Sequence, residues 1–292
     1  MYLPALILVL ASACLHALWN ALLKRARDLP STALGILGVT VVVTGGLLPF
    51  IPGPAFPGPG SLRWALAAGV GEGFYFVSLT LALRSSPLGW SYAWMRGLGM
   101  LLVWPVSLAF LGETLRPLAG LSVAVVCLGL VCLGLIAGTG RHALAGKAGP
   151  TRSLRPVAWA CAAGVCIAGY TLCYKASLGA GANPVGLYFV AMVVALPVQA
   201  ALRFRRDGHQ ACLRLPDQWG LVLVGGILCA ASFLSYLQAL SLQGAGLMAT
   251  LRNTSIVFAV LFSTLIGERP TLRQWTGAAL VTAGAVGLAW PK

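Results

Sequence analysis

Apolar stretches of about twenty residues follow one another along nearly the whole chain, broken at similar intervals by Gly, Pro and charged residues. A helix of that length rises about 30 Å, the thickness of the bilayer hydrocarbon, so a chain built this way is confined to a membrane. The 292 residues are 59% hydrophobic and 9% charged, against about 25% charged in an ordinary soluble domain. We read an all-α membrane protein of ten spans, roughly 3–23, 31–51, 64–83, 88–111, 115–137, 156–178, 184–202, 219–240, 246–266 and 271–290. The breaks are "KRARDLP", "IPGPAFPGPG", "RSSP", "GETLRP", the linker from Arg141 to Pro156, "GAGANP", "RFRRDGHQACLRLPDQ", "LQGAG" and "GERP". Several are short enough that consecutive helices must be antiparallel neighbours. The longest connections, 138–155 and 203–218, leave no room for a separate soluble domain.

Cys14 after Ala11-Ser12-Ala13 has some likeness to a lipoprotein cleavage site. The opening "MYLP" lacks a basic n-region and the apolar run continues to Leu23, so this segment is expected to stay as helix 1.

Counting Lys and Arg by connection orients the chain. Connections 1–2, 3–4, 5–6, 7–8 and 9–10 hold fourteen, and the opposite side holds three, Arg63, Arg116 and Lys292. The positive-inside rule then puts both termini outside. The net charge of +14 has the same origin and is no nucleic-acid signal.

The two halves resemble each other at an offset of about 151 to 157. "WNALLK" (Trp19 to Lys24) answers "YTLCYK" (Tyr170 to Lys175), and Trp64 answers Trp219. Ala82-Leu83, Gly89, Arg96 and Gly112-Glu113 answer Ala239-Leu240, Gly246, Arg252 and Gly267-Glu268. Five helices per repeat is an odd number, so the repeats at 1–137 and 156–292, joined by a basic linker at 138–155, must have opposite orientations. Inverted repeats are a mark of secondary transporters, whose site lies at the midplane between the halves.

The "HALWN…K" of helix 1, the "R…GE" running from helix 4 into helix 5, and its recurrence as "R…GERPTL" with "GAALVTAGAVGLA" resemble the drug/metabolite transporter superfamily, in its EamA-type branch. The resemblance spans essentially the whole chain. It implies ten helices in two five-helix repeats, export or exchange of small metabolites, and helices 1, 3, 4, 6, 8 and 9 around a central cavity. It chooses no substrate. The chain departs from members with basic tails at both ends, which leaves orientation to the charge count.

Helix 1 carries a polar stripe of Ser12, His16, Trp19, Asn20 and Lys24, within an arc of about 140°. His16 and Asn20 could line a cavity or serve as interhelical glue. Lys24 and Lys175 lie near helix ends and can snorkel, and their matched placement keeps a site role open beside that. Glu72, between Gly69, Gly71 and Gly73, has its counterpart near Ile227, so an acid stands in only one half. It is a candidate proton carrier or cation ligand, with a structural ion pair as the alternative. Arg96 and Arg252 occupy matching positions and offer a donor fork suited to carboxylate or phosphate, or else reach headgroups. Asn253 beside Arg252 joins the candidates. Tyr75, Tyr92, Tyr170, Tyr174 and Tyr236, with Phe76, could build an aromatic box, while Trp64, Trp219, Trp275 and Trp290 suit interfacial belts. Glu113 and Glu268 read as structural acids at helix N-termini.

Eight cysteines show no metal spacing. There is no nucleotide fingerprint, so no cofactor is expected. His142 and His209 sit in basic loops. The expected protein is not an enzyme: it is a monomeric, multi-pass secondary transporter of a bacterial inner membrane, an exporter with protons as candidate coupling ion. Arg or Lys for a carboxylate, Glu72 for an amine and aromatics for a side chain suit an amino acid or related amine. Organic cations and phosphorylated or phosphonate metabolites are the rivals. A membrane-embedded enzyme acting on lipids would need a cluster of acid, base and acceptor residues that the sequence lacks.

The charge count makes a prediction about topology. Single cysteines placed in the 138–155 and 203–218 connections should be shielded from impermeant thiol reagents in intact cells; labelling of either from outside would reverse the orientation.

Overall fold

The computed structural model describes residues 3–86, 88–112, 117–134, 155–208, 217–267 and 269–289. Glu113, Glu268, His142, His209, Cys212, Trp290 and the linker before Arg155 lie outside the described residues. Every regular element among those described is helical. The helices are α1 (Leu3–Lys24), α2 (Leu29–Leu47), continued by a 3-10 turn at Leu48–Phe50, α3 (Pro59–Ser85), α4 (Leu88–Phe110), α5 (Pro117–Gly134), α6 (Arg155–Gly179), α7 (Pro184–Asp207), α8 (Trp219–Leu242), α9 (Ala245–Arg252), α10 (Ser255–Leu265) and α11 (Leu272–Ala289). Eight spans among the described residues are long and apolar enough to cross a membrane, with α9 and α10 together forming one of them. The short helices α5 and α11 pack on each other.

Local chemistry sets the helix ends. Asp28 caps α2 by accepting the Ser31 N–H at 3.3 Å, with Pro30 in the first turn, and Asn183 caps α7 by accepting the Val185 N–H at 2.9 Å, with Pro184 at the start. At the far end of α7, Gly208 adopts φ +80, a conformation open to glycine. Helix α7 therefore runs past the expected end at 202, and Arg203 belongs to the helix.

The expected single span 246–266 is interrupted at Asn253-Thr254. There the N–H groups of Asn253 and Thr254 bond three residues back, to Thr250 and Leu251, at 3.0 and 3.1 Å. The Thr254 hydroxyl donates to the same Leu251 carbonyl at 2.8 Å. Side-chain competition for backbone carbonyls in a Asn-Thr-Ser run tightens the helix without any Gly or Pro.

The helices of the first half pack chiefly on those of the second: α3 on α6 and α7, α1 on α8, α2 on α7 and α8, and α4 on α6. Lipid offers no hydrophobic gain for such contacts, so close fit must supply the attraction. A Cβ on Gly69 of α3 would come within 2.6 Å of the Ala191 carbonyl on α7, and one on Gly226 of α8 within 2.5 Å of the Val39 side chain on α2. Two lysines close helix C-termini in the same way. Lys24 Nζ donates to the carbonyls of Leu83 and Ser86 at the end of α3, and Lys175 Nζ to those of Leu240 and Gln243 at the end of α8, at 2.9 and 2.8 Å. A cation at a helix C-terminus meets both unpaired carbonyls and the negative end of the dipole.

Gly69→Val and Gly226→Val should each destabilise the detergent-purified protein by about 1–3 kcal/mol, through overpacking. Gly38→Ala, where a Cβ meets nothing within 4 Å, is the control and should leave the melting temperature unchanged or higher.

Candidate functional site

Helix α1 brings His16, Trp19 and Asn20 to the centre of the bundle, where their exposures are 1%, 0% and 0%. Two donors converge on His16 Nδ1, the Trp19 indole N–H at 3.3 Å and the Arg252 guanidinium at 3.1 Å. Neither partner can accept a proton bond through those groups, so Nδ1 must be the bare nitrogen. The ring is thereby assigned as the neutral Nε2–H tautomer, with that N–H directed to the Tyr75 hydroxyl at 3.4 Å. The His16 carbonyl accepts from Tyr92 at 3.0 Å and from Asn20 at 2.8 Å. One histidine thus joins α1 to α3, α4 and the end of α9.

Aromatic rings fill the rest. The Arg252 guanidinium lies over Tyr236 and Phe233, 3.9 and 4.5 Å from the ring centroids, a geometry that stabilises a desolvated cation. His16 meets Phe233 edge-on at 5.4 Å, and Tyr75, Tyr170 and Tyr174 follow one another at 5.6 and 5.5 Å. Tyr188 of α7 stacks on Phe233 at 4.9 Å. Instead of the expected open cavity, the centre here is packed ring against ring.

Glu72 is wholly buried on α3 and accepts one hydrogen bond, from the Tyr174 hydroxyl to Oε1 at 3.0 Å. Among the described residues its carboxylate takes part in no ion pair, and Oε2 has no partner. Four further buried atoms of the same cluster are unmet: Asn20 Oδ1, Arg96 Nη2, Arg252 Nε and the Tyr170 hydroxyl. Each such group costs about 1–3 kcal/mol when left without a partner, and native cores hold few.

The structure does not bring every candidate to this point. The Lys175 ammonium is directed at the α8 carbonyls, and Asn253 donates to Met100 Sδ at 3.2 Å, on α4. Arg96 stands 6.0 Å from the Tyr92 ring, on the margin of the cluster. Residues unremarked in the sequence also take part. Phe233 lies one turn before Tyr236 on α8, a spacing that could have marked it, whereas nothing around Tyr188 signals its role. Ser232 donates to the Ser12 carbonyl at 2.9 Å, which explains the start of the helix 1 stripe. The shift that carries Gly69 onto Gly226 carries Glu72 onto Cys229, two residues beyond the expected Ile227; Cys229 is buried against the Tyr188 hydroxyl at 3.6 Å, and Ile227 is exposed.

Three comparisons bear on this arrangement. Residues 154–290 match the model of the EamA-like transporter family. Over 99 residues, 33% of this chain and 70% of the relative, the chain is 36% identical to a Sinorhizobium sp protein described as "Uncharacterized transporter in cobO 3'region". A solved structure, described only as "Crystal structure of protein", superposes with a TM-score of 0.70 over 97% of this chain and 95% of that one at 19% identity, which shows a shared fold. Helices that cross a membrane, a buried polar centre and these likenesses converge: the chain belongs to the EamA-like transporter family, of the drug/metabolite transporter superfamily.

Proposed function

We propose that the buried cluster is the substrate site of a proton-coupled secondary transporter, an exporter of a small zwitterion such as an amino acid or related amine. The observation that carries this is the set of unmet polar atoms. Arg252 Nε and Arg96 Nη2 are donors for a carboxylate, Glu72 Oε2 and Asn20 Oδ1 are acceptors for an ammonium, and aromatic rings lie between. A ligand bearing both charges would meet all of them, whereas an organic cation would leave the arginines unmet and a phosphorylated anion would face Glu72.

Ten spans in two inverted five-helix repeats, 1–137 and 156–292, joined by the basic linker 138–155, form the scaffold. Paired devices support it: Lys24 and Lys175 at helix C-termini, Gly69 and Gly226 at close approaches, Asp28 and Asn183 as caps. Opening alternately to each side lets one site serve both faces, with the basic connections on the cytoplasmic side of a bacterial inner membrane. Proton and substrate couple only if occupancy by one changes affinity for the other. Glu72 meets that need, because an ammonium and a proton would compete for its free oxygen.

Purified protein screened against a metabolite panel should be stabilised thermally by zwitterionic amines, since a ligand of the native state raises its apparent stability; stabilisation by organic cations or phosphates alone would replace this reading. Glu72→Gln should fold, retain exchange in proteoliposomes and lose accumulation driven by a pH gradient. Wild-type-like accumulation would remove Glu72 from coupling.

The two arginines should differ. Arg252→Gln strips His16 and two rings of their cation and should weaken binding by about 30-fold or more, the effect of 2 kcal/mol or above for truncating a buried charge. Arg96→Gln should weaken it less; equal losses would point to a symmetric structural role.

A further inference from the structure

An ion pair joins the two halves at the end of the bundle where α1 finishes and α2 begins. Arg203, near the C-terminus of α7, reaches across to the α1–α2 connection, its Nη2 3.7 Å from Asp28 Oδ2 and 2.6 Å from Ser31 Oγ. Asp28 caps α2 at the same time, and the Ser31 hydroxyl also donates to its Oδ2. The Arg203 side chain is only 5% exposed, and its Nε and Nη1 have no partner. One turn earlier on α7, Gln199 is 2% exposed with Oε1 unmet.

The opposite end is joined differently. There the α7 cap is Asn183, a neutral residue in the place Asp28 holds on α2. The Asn183 N–H donates to the Ala55 carbonyl at 2.9 Å, and the Ser177 hydroxyl donates to the Ser61 carbonyl at 2.8 Å. All of these contacts are neutral. Between α2 and α7, which face each other along the bundle, charge holds one end and the main-chain hydrogen bond from Asn183 to Ala55 holds the other.

The geometry points to Asp28 and Arg203 as the latch that keeps their end of the bundle closed and so decides which side the central site faces. A closed latch gains one charge pair but leaves two guanidinium N–H groups and the Gln199 oxygen dry. Opening breaks the pair and hydrates all of them, so the two states are closely balanced. Such balance is what an alternating-access gate needs, because a ligand with modest differential affinity can then shift it. The inference rests on the alternating access proposed above, and the test reads the latch without any substrate.

Asp28→Asn separates the roles, since Asn caps a helix as well as Asp does but carries no charge. Hydrogen–deuterium exchange of the full-length protein in nanodiscs should show about tenfold faster exchange at residues 24–33 and 199–207 for both Asp28→Asn and Arg203→Gln. Exchange around Ala55 and Asn183 should be unchanged or slower, and melting temperatures near that of the wild type. Wild-type exchange at 24–33 and 199–207 overturns the latch. So does loss of protection throughout the molecule, or failure of both variants to fold, because the pair would then be a general structural tie. If the latch segments respond as expected but proteoliposomes carry out no transport, the functional reading fails and the latch stands.

Discussion

Hydrocarbon cannot hydrogen-bond to a peptide group, and most of this structure follows from that restriction. Each span must close its own backbone hydrogen bonds, so the described elements are helices. The restriction sharpens at helix ends and interruptions. Asp28 and Asn183 meet N-terminal amides, Lys24 and Lys175 meet C-terminal carbonyls, and the tight turn at Asn253-Thr254 replaces lost bonds with shorter-range ones. An interruption inside a membrane span is tolerated where other protein surrounds it, and Arg252 and Asn253 are 1% exposed.

Because lipid gives helices no hydrophobic reason to associate, the halves hold together by fit and by polar contacts. Glycines admit α7 against α3 and α2 against α8, while serine and tyrosine hydroxyls tie α8 and α4 to α1. Interlocking of this kind places the centre of the molecule between the halves, so that neither half owns it. His16 belongs to the first half and Arg252 to the second, yet one nitrogen of the first receives a bond from the other.

At that centre partnered and unpartnered groups stand side by side. Arg252 is supported by two rings and a histidine nitrogen, as a fixed cation in a dry site must be. Glu72 receives a single hydrogen bond. A core selected for stability alone would not keep an acid so poorly met, given the cost of burying an incompletely compensated charge. The disparity is the physical basis on which we propose substrate recognition by the cluster and a proton role for Glu72.

Hydropathy made the membrane class and eight of the spans legible in the residues alone, and polar residues in apolar helices marked most members of the central cluster, because length, polarity and periodicity are local properties. His16, Trp19 and Asn20 stood out as a stripe, and Glu72 as an acid in an apolar helix. Lys175 was misleading: a polar residue on a helix has several reachable partners, and only the packed arrangement sends its ammonium to the end of α8. Tyr188 gave no signal and Phe233 only its spacing from Tyr236, since an aromatic in an apolar run looks alike whether it faces lipid or a stacked ring. Arg203 belonged by sequence to a basic connection, until the length of α7 and the position of Asp28 turned it inward. Which groups meet across the halves, and which are left unmet, depends on contacts between residues far apart in the chain, and that was decided by the tertiary fold.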